Sequence, residues 1–285
     1  MNIFKATVLF MLITISMNGQ TSSLTKMEDS IQELFAKIIL AKNDIEKLNY
    51  NSKLEEIFAE LLNKNSSFDY PLNKLKHVSK LSSDDGLLRV ITWNIPYTNG
   101  IYKYFGFVQL KSKNNSSKVF KLNDHSAKIT EAQTKILDYT NWYGALYYKI
   151  LSNTYKNKTY YTLLGWDGND NFTNKKIIDI LIIKRKKIQF GAPIIKEGDI
   201  TYTRSIFEYA KQAKMMLRYD EKQKMIVFDH LAPSLKKFKG QYLYYGPDLS
   251  QDGLEFIEGF WVLQANLDLR NEKSNTNKKP IKTSN

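Results

Sequence analysis

The chain has 285 residues, 42% hydrophobic and 13% aromatic, which fills one large domain or two small ones and excludes a disordered adaptor. It has no cysteine, so disulfides, thiol catalysis, thiolate metal sites and a lipidated cysteine are excluded. With 42 Lys and Arg against 29 Asp and Glu the formal charge is +13, spread along the chain, which bears on solubility and on anionic envelope surfaces; no nucleic-acid partner is expected.

Residues 1–20 open with Lys5, continue as an apolar run from Ala6 to Met17 and leave through Asn18-Gly19-Gln20. This is the pattern of a cleavable signal peptide, and the run is shorter than the roughly 20 residues a membrane-spanning helix needs. The expected location is therefore the periplasm or beyond, with no transmembrane segment.

Residues 25–64 predict a helical hairpin. Ile31, Leu34, Phe35, Ile38, Ala41, Ile45 and Leu48 fall at three- and four-residue spacings on one stripe, with Thr25 and Glu28 as a capping box. A polar break at Asn49-Tyr50-Asn51 precedes a second start at Ser52 and Glu55, leading into Leu54, Ile57, Phe58, Leu61 and Leu62.

From residue 75 to 270 the texture becomes short apolar and aromatic runs between turn clusters, which predicts a mainly β domain: an antiparallel β-meander, sandwich- or barrel-like. Leu87–Ile95 and Ile101–Leu110 flank Asn99-Gly100, a pair suited to a type I′ hairpin turn. Val119–Leu122 reads as a strand and Asp124–Leu137 as a short helix or a loop. The meander continues through Trp142–Leu151, Thr159–Trp166, Lys176–Lys184, Ile188–Phe190, Thr203–Tyr209, Lys214–Tyr219, Met225–His230 and Gln241–Tyr245. It closes with a hairpin of Leu254–Ile257 and Phe260–Gln264. Residues 271–285 are rich in Lys, Asn and Ser without apolar periodicity and predict a disordered basic tail.

Several clusters have chemistry to offer. Asp167-Gly168-Asn169-Asp170-Asn171 and Asp248-Leu249-Ser250-Gln251-Asp252-Gly253 space oxygen side chains on alternate residues, as the start of a calcium loop does. Asp167, Asn169 and Asn171 in the first and Asp248, Ser250 and Asp252 in the second are the metal-ligand candidates. Ile178 and Gly259 stand where the closing bidentate Glu belongs, so a polar turn is the first reading of each loop and calcium the second. Asp179 lies within Ile177–Ile183 on the face of Ile177, Leu181 and Ile183, where a carboxylate needs a partner. It is read as a structural ion pair first and, with Asp167, as a catalytic acid second. Trp166, Asn169, Tyr244 and Tyr245 are ligand-binding candidates, because exposed aromatics beside amide-rich loops suit sugar rings. The three histidines, His77, His125 and His230, have no metal-binding spacing, and no nucleophile elbow, phosphate loop or dinucleotide glycine run is present.

Tyr160-Tyr161-Thr162-Leu163-Leu164-Gly165-Trp166-Asp167-Gly168-Asn169, Leu217-Arg218-Tyr219-Asp220, Ile226-Val227-Phe228-Asp229-His230-Leu231 and Gly259-Phe260-Trp261-Val262-Leu263 carry a resemblance. Over roughly residues 75 to 270 the chain resembles uncharacterised exported proteins of Bacteroidota. The resemblance implies an envelope location and carries over no activity and no catalytic residues. The sequence thus predicts an exported, noncatalytic envelope module that binds glycan or another envelope protein. The alternative is a carboxylate-dependent hydrolase of envelope polysaccharide.

Overall fold

The computed structural model describes residues 22–112 and 116–267. The signal peptide expected at residues 1–20 and the tail expected at residues 271–285 lie outside them. Among the described residues the fold is mainly β with two N-terminal helices and no closed barrel. Helix α1 covers residues 22–40 and α2 runs Asp44–Asn63. The break between them falls at residues 41–43, earlier than the polar triplet 49–51, because Asn43 caps α2 by accepting from the Glu46 amide at 2.9 Å. Asn51 stays inside the helix, buried, with its Oδ1 accepting from the Trp93 indole at 2.8 Å. Thr25 and Glu28 form no capping box, since the helix already runs at residue 22. Glu28 is buried instead, accepting from the Tyr70 hydroxyl and the Lys74 amide.

Fifteen strands form three sheets among the described residues. The first holds β1 Ser79–Ser82, β2 Leu88–Pro96, β3 Tyr102–Lys111 and β4 Ser117–Asn123, in that order. The middle sheet contains β5 Leu146–Tyr155, β6 Lys158–Asp167, β7 Thr173–Lys184 and β11 Arg204–Ala210, ordered β11-β7-β6-β5, with β8 Lys187–Phe190 also beside β7. The outer sheet contains β9 Ile195–Glu197, β10 Ile200–Tyr202, β12 Leu217–Asp220, β13 Met225–Pro233, β14 Tyr245–Ile257 and β15 Phe260–Gln264. Its order is β10-β9-β15-β14-β13-β12, and β9 with β15 is the one parallel pair among the described strands.

Period-two alternation turns these sheets into layers. On β2, Ile91, Trp93 and Ile95 face the helices and meet Phe35, Leu54 and Phe58, while Leu88 and Val90 face the middle sheet. On β7, Ile177 and Leu181 face the first sheet, and Ile178, Ile180 and Ile182 face the outer sheet against Ile226, Leu254 and Trp261. The stacking order is therefore helices, first sheet, middle sheet, outer sheet, with the middle sheet apolar on both faces. The Trp261 indole donates to Thr162 Oγ1 at 2.9 Å, tying the last two layers together.

Three local expectations change. The β2–β3 connection is not type I′: the Gly100 amide bonds the Tyr97 carbonyl, and among the turn residues only Gly100 has positive φ, at 86°. That is a type I turn ending in a left-handed glycine. Asp124–Leu137 forms no α-helix, only a 3-10 turn at Ser126–Lys128 within irregular chain. Gln241–Tyr245 is no separate strand: Tyr242–Tyr244 is a 3-10 turn, and the strand that starts at Tyr245 runs unbroken through the 248–253 loop to Ile257.

Candidate binding cleft

A cleft of about 410 Å³ opens where the ends of the first and middle sheets meet. The start of β3 supplies Ile101, Tyr102 and Lys103, the turn before it Tyr97, and the segment after β4 Asp124, His125, Ser126 and Lys128. Asp167 comes from the end of β6, Asn169 from the connection that follows, Lys175 from the start of β7, and Tyr143 from the chain ahead of β5.

Tyr104 holds the two carboxylates of this cleft. Its backbone amide donates to Asp124 Oδ2 at 3.1 Å, and its hydroxyl donates to Asp167 Oδ1 at 2.9 Å. Burial pushes the Tyr104 phenol far above its ordinary pKa, so the hydroxyl keeps the proton that it donates. Asp124 Oδ1 also accepts from the Ser126 amide at 2.9 Å and hydroxyl at 2.7 Å, and Lys103 Nζ lies 3.7 Å from Oδ2. Gly144 makes room for this carboxylate, since a Cβ there would lie 2.5 Å from Asp124 Cγ. Asp167 Oδ1 takes a second bond from the Asn169 amide at 2.7 Å, whereas Oδ2 takes none among the described residues. Burial raises the Asp167 pKa above its ordinary value, opposed by the Asn169 amide, the Lys175 charge and the Tyr104 hydroxyl.

The loop 167–171 is held by lysines. Lys175 Nζ donates to Asn169 Oδ1 at 2.7 Å, and Lys211 Nζ donates to the carbonyls of Gly168 and Asp170, both at 2.8 Å. Asp170 Oδ1 accepts from the Phe172 and Thr173 amides, and Asn171 donates to the Asn99 carbonyl at 2.9 Å, pinning the loop to the β2–β3 turn. Trp166 stands behind the cleft, edge-on to Tyr102 with ring centroids 5.4 Å apart. Tyr102 in turn lies over Gly168, where no side chain would fit.

A second cavity, of about 450 Å³, shares Tyr143 and Lys175 with the first and adds Glu131, Gln133, Tyr202, Glu208 and Tyr242. The two cavities adjoin at these shared residues, and each has tyrosines in its lining.

The other sequence candidates lie elsewhere. Asp179 is fully buried in the middle sheet, opposite Arg204 of β11, whose Nη2 lies 2.9 Å from Asp179 Oδ1. Tyr147 donates to Asp179 Oδ2 at 2.9 Å, and Arg204 Nη1 donates to the Ala132 carbonyl at 2.6 Å. Asp248 accepts from the Ser250 amide and hydroxyl and meets His230 Nδ1 at 2.8 Å. The Ser250 bonds and the histidine hold the Asp248 carboxyl down at about 2. Asp252 accepts from the Asn266 amide, and Tyr244 and Tyr245 sit at the end of the β13–β14 arm, outside the cleft. Among the described residues no three His, Asp or Glu side chains come together as metal ligands.

Of the sequence candidates, Asp167 and Asn169 line this cleft and Trp166 lies next to it, whereas Asp124, Lys103 and Lys175, which also line it, were not among them. Asp124 had a legible signal: Asp-x-Ser at the end of a strand is a turn in which the carboxylate takes the amide and hydroxyl two residues on. The same arrangement occurs at Asp138-x-Thr140 and Asp248-x-Ser250.

Comparison of the chain with protein-family models, with curated proteins and with solved structures finds no match in any of the three. The functional reading therefore rests on the cleft itself. No described helix is long and apolar enough to cross a membrane.

Proposed function

We propose that this protein is an exported envelope module whose cleft binds glycan without turning it over. The observation that carries this reading is the company kept in one cleft: the rings of Tyr97, Tyr102 and Tyr143 beside the carboxylates of Asp124 and Asp167, the Asn169 amide and the ammonium groups of Lys103, Lys128 and Lys175. A pyranose has an apolar C–H face that packs on an aromatic ring, and a rim of hydroxyls that needs convergent acceptors and donors. The continuation past Tyr143 and Lys175 suits an oligosaccharide better than a single sugar. Export follows from the signal-like first twenty residues.

A glycan array run with the full chain and with the Tyr97→Ala and Asp167→Asn variants tests it. The parent protein should retain a defined set of glycans, and each variant should bind them about tenfold more weakly, a loss of one lost hydrogen bond or ring contact. Equal binding by parent and variants, or no glycan retained by the parent, overturns the reading.

The raised Asp167 pKa favours one second reading, a glycosidase in which Asp167 is the acid and Asp124 its partner. An acid must be protonated to act, so turnover would fall as pH rises through that raised pKa. Release of reducing sugar by the parent but not by the Asp167→Asn variant would favour the enzyme over the binding module.

A further inference from the structure

Strands β13 and β14 continue beyond the outer sheet as a two-stranded arm, in which Leu231, Ala232 and Pro233 pair with Pro247, Gly246 and Tyr245. No other strand pairs with this stretch: β12 stops at Phe228 of β13, and β15 pairs only from Gly253 of β14 onward. Residues 234–244 close its end. Between Ser234 and Pro247 the chain carries Lys236, Lys237 and Lys239 and no Asp or Glu. Among the described residues none of these lysines is paired with a carboxylate.

The tip presents apolar groups to solvent in a fixed arrangement. Leu235 is 54% exposed and Leu243 40%, flanked by Tyr244. The Phe238 and Tyr244 rings stack with centroids 4.0 Å apart, the Ser234 amide bonds the Tyr244 carbonyl, and the Gly240 amide bonds the Tyr245 hydroxyl at 2.9 Å. These contacts hold the backbone of the tip, and the Tyr242–Tyr244 turn rests against β11, with Tyr242 turned toward the second cavity, while Leu235 and Leu243 keep much of their surface in solvent.

We infer that this tip docks on an anionic lipid bilayer. Lysine stems can lie along the tip's apolar surface while their ammonium groups reach lipid phosphates, and leucine and tyrosine suit the boundary between headgroups and acyl chains. Charge selects this occupant: an acid-free tip with three unpaired lysines complements a negatively charged surface. The tip shares Tyr242 with the second cavity, but the lipid contacts assigned here, Leu235, Leu243, Tyr244 and the three lysines, line neither cavity.

The test uses the absence of cysteine, which lets one introduced thiol carry an environment-sensitive dye. The full chain with Leu243→Cys is labelled, beside a control with Asp84→Cys in the β1–β2 turn of the first sheet, on the far side of the middle sheet. On vesicles of mixed phosphatidylglycerol and phosphatidylcholine the dye at position 243 should shift to the blue and the dye at position 84 should not. Pure phosphatidylcholine should give no shift. Replacing Lys236, Lys237 and Lys239 together by Glu should lower vesicle binding at least tenfold. An unshifted dye at position 243 on saturating anionic vesicles overturns the inference. So does binding that survives the charge reversal, or a shift that grows with protein concentration without lipid, which would mark a second copy of the chain as the occupant.

Discussion

The most demanding residue in the fold is Asp179. It and Arg204 are both fully buried, so each charge depends on the other. The pair is not fully satisfied: Arg204 Nε and Nη2 have no aligned hydrogen bond, although Nη2 is 2.9 Å from the carboxylate. Removing one partner leaves an uncompensated interior charge, so Asp179→Asn should cost about 3–5 kcal/mol of stability in urea unfolding. Replacing both, as Asp179→Leu with Arg204→Met, should recover most of that loss, because apolar side chains owe no desolvation cost. A double variant as unstable as the single one would show that the pair itself stabilises the sheet. The alternation of Ile177–Ile183 put Asp179 on an interior face and so called for a partner. Arg204 stayed hidden because the register of β11 against β7 is a long-range pairing with no local signature.

At the scale of elements, α2 and the first sheet show how a polar residue misleads. Asn51 belongs to a triplet that reads as a loop, yet it lies within the helix because its Oδ1 meets the Trp93 indole. The ring it anchors is fully buried and stacks on Phe58 at 5.1 Å and on Phe105 at 5.9 Å. Asn51→Ala should therefore cost about 1–3 kcal/mol, the penalty for leaving a buried donor unmade. Its chevron or equilibrium midpoint should drop while far-UV helicity is unchanged, since alanine is the better helix former. A stability gain would mean that the indole finds another acceptor. The true helix break had a local signal in Asn43 and Glu46, the pattern of an N-cap with an acid three residues on.

For the whole molecule, the layer order sets where stability is concentrated. β6 and β7 are covered on both faces and flanked by other strands, whereas the β13–β14 arm has one strand pairing and is only half-buried, against β11. Amide hydrogen exchange should follow this gradient, with β6 and β7 amides opening only on global unfolding and the amides of residues 231, 232, 245 and 246 exchanging through local opening. Arm amides as protected as those of β7 would mean that the arm is covered in solution. The candidate cleft depends on the same layering. Asp124 follows the first sheet and Asp167 ends a strand of the middle one, and Tyr104 reaches both only because the two sheets stack face to face.

Composition and alternation alone determined that this is a cysteine-free, mainly β chain behind a helical hairpin, because strand and helix periods are local properties of side-chain placement. They also marked 167–171 as a polar turn. The stacking of three sheets, the pairing of Asp179 with Arg204 and the meeting of Asp124 with Asp167 came only with the tertiary structure. Each depends on register and packing between segments far apart in the chain, where many partners satisfy the same local pattern and burial selects one.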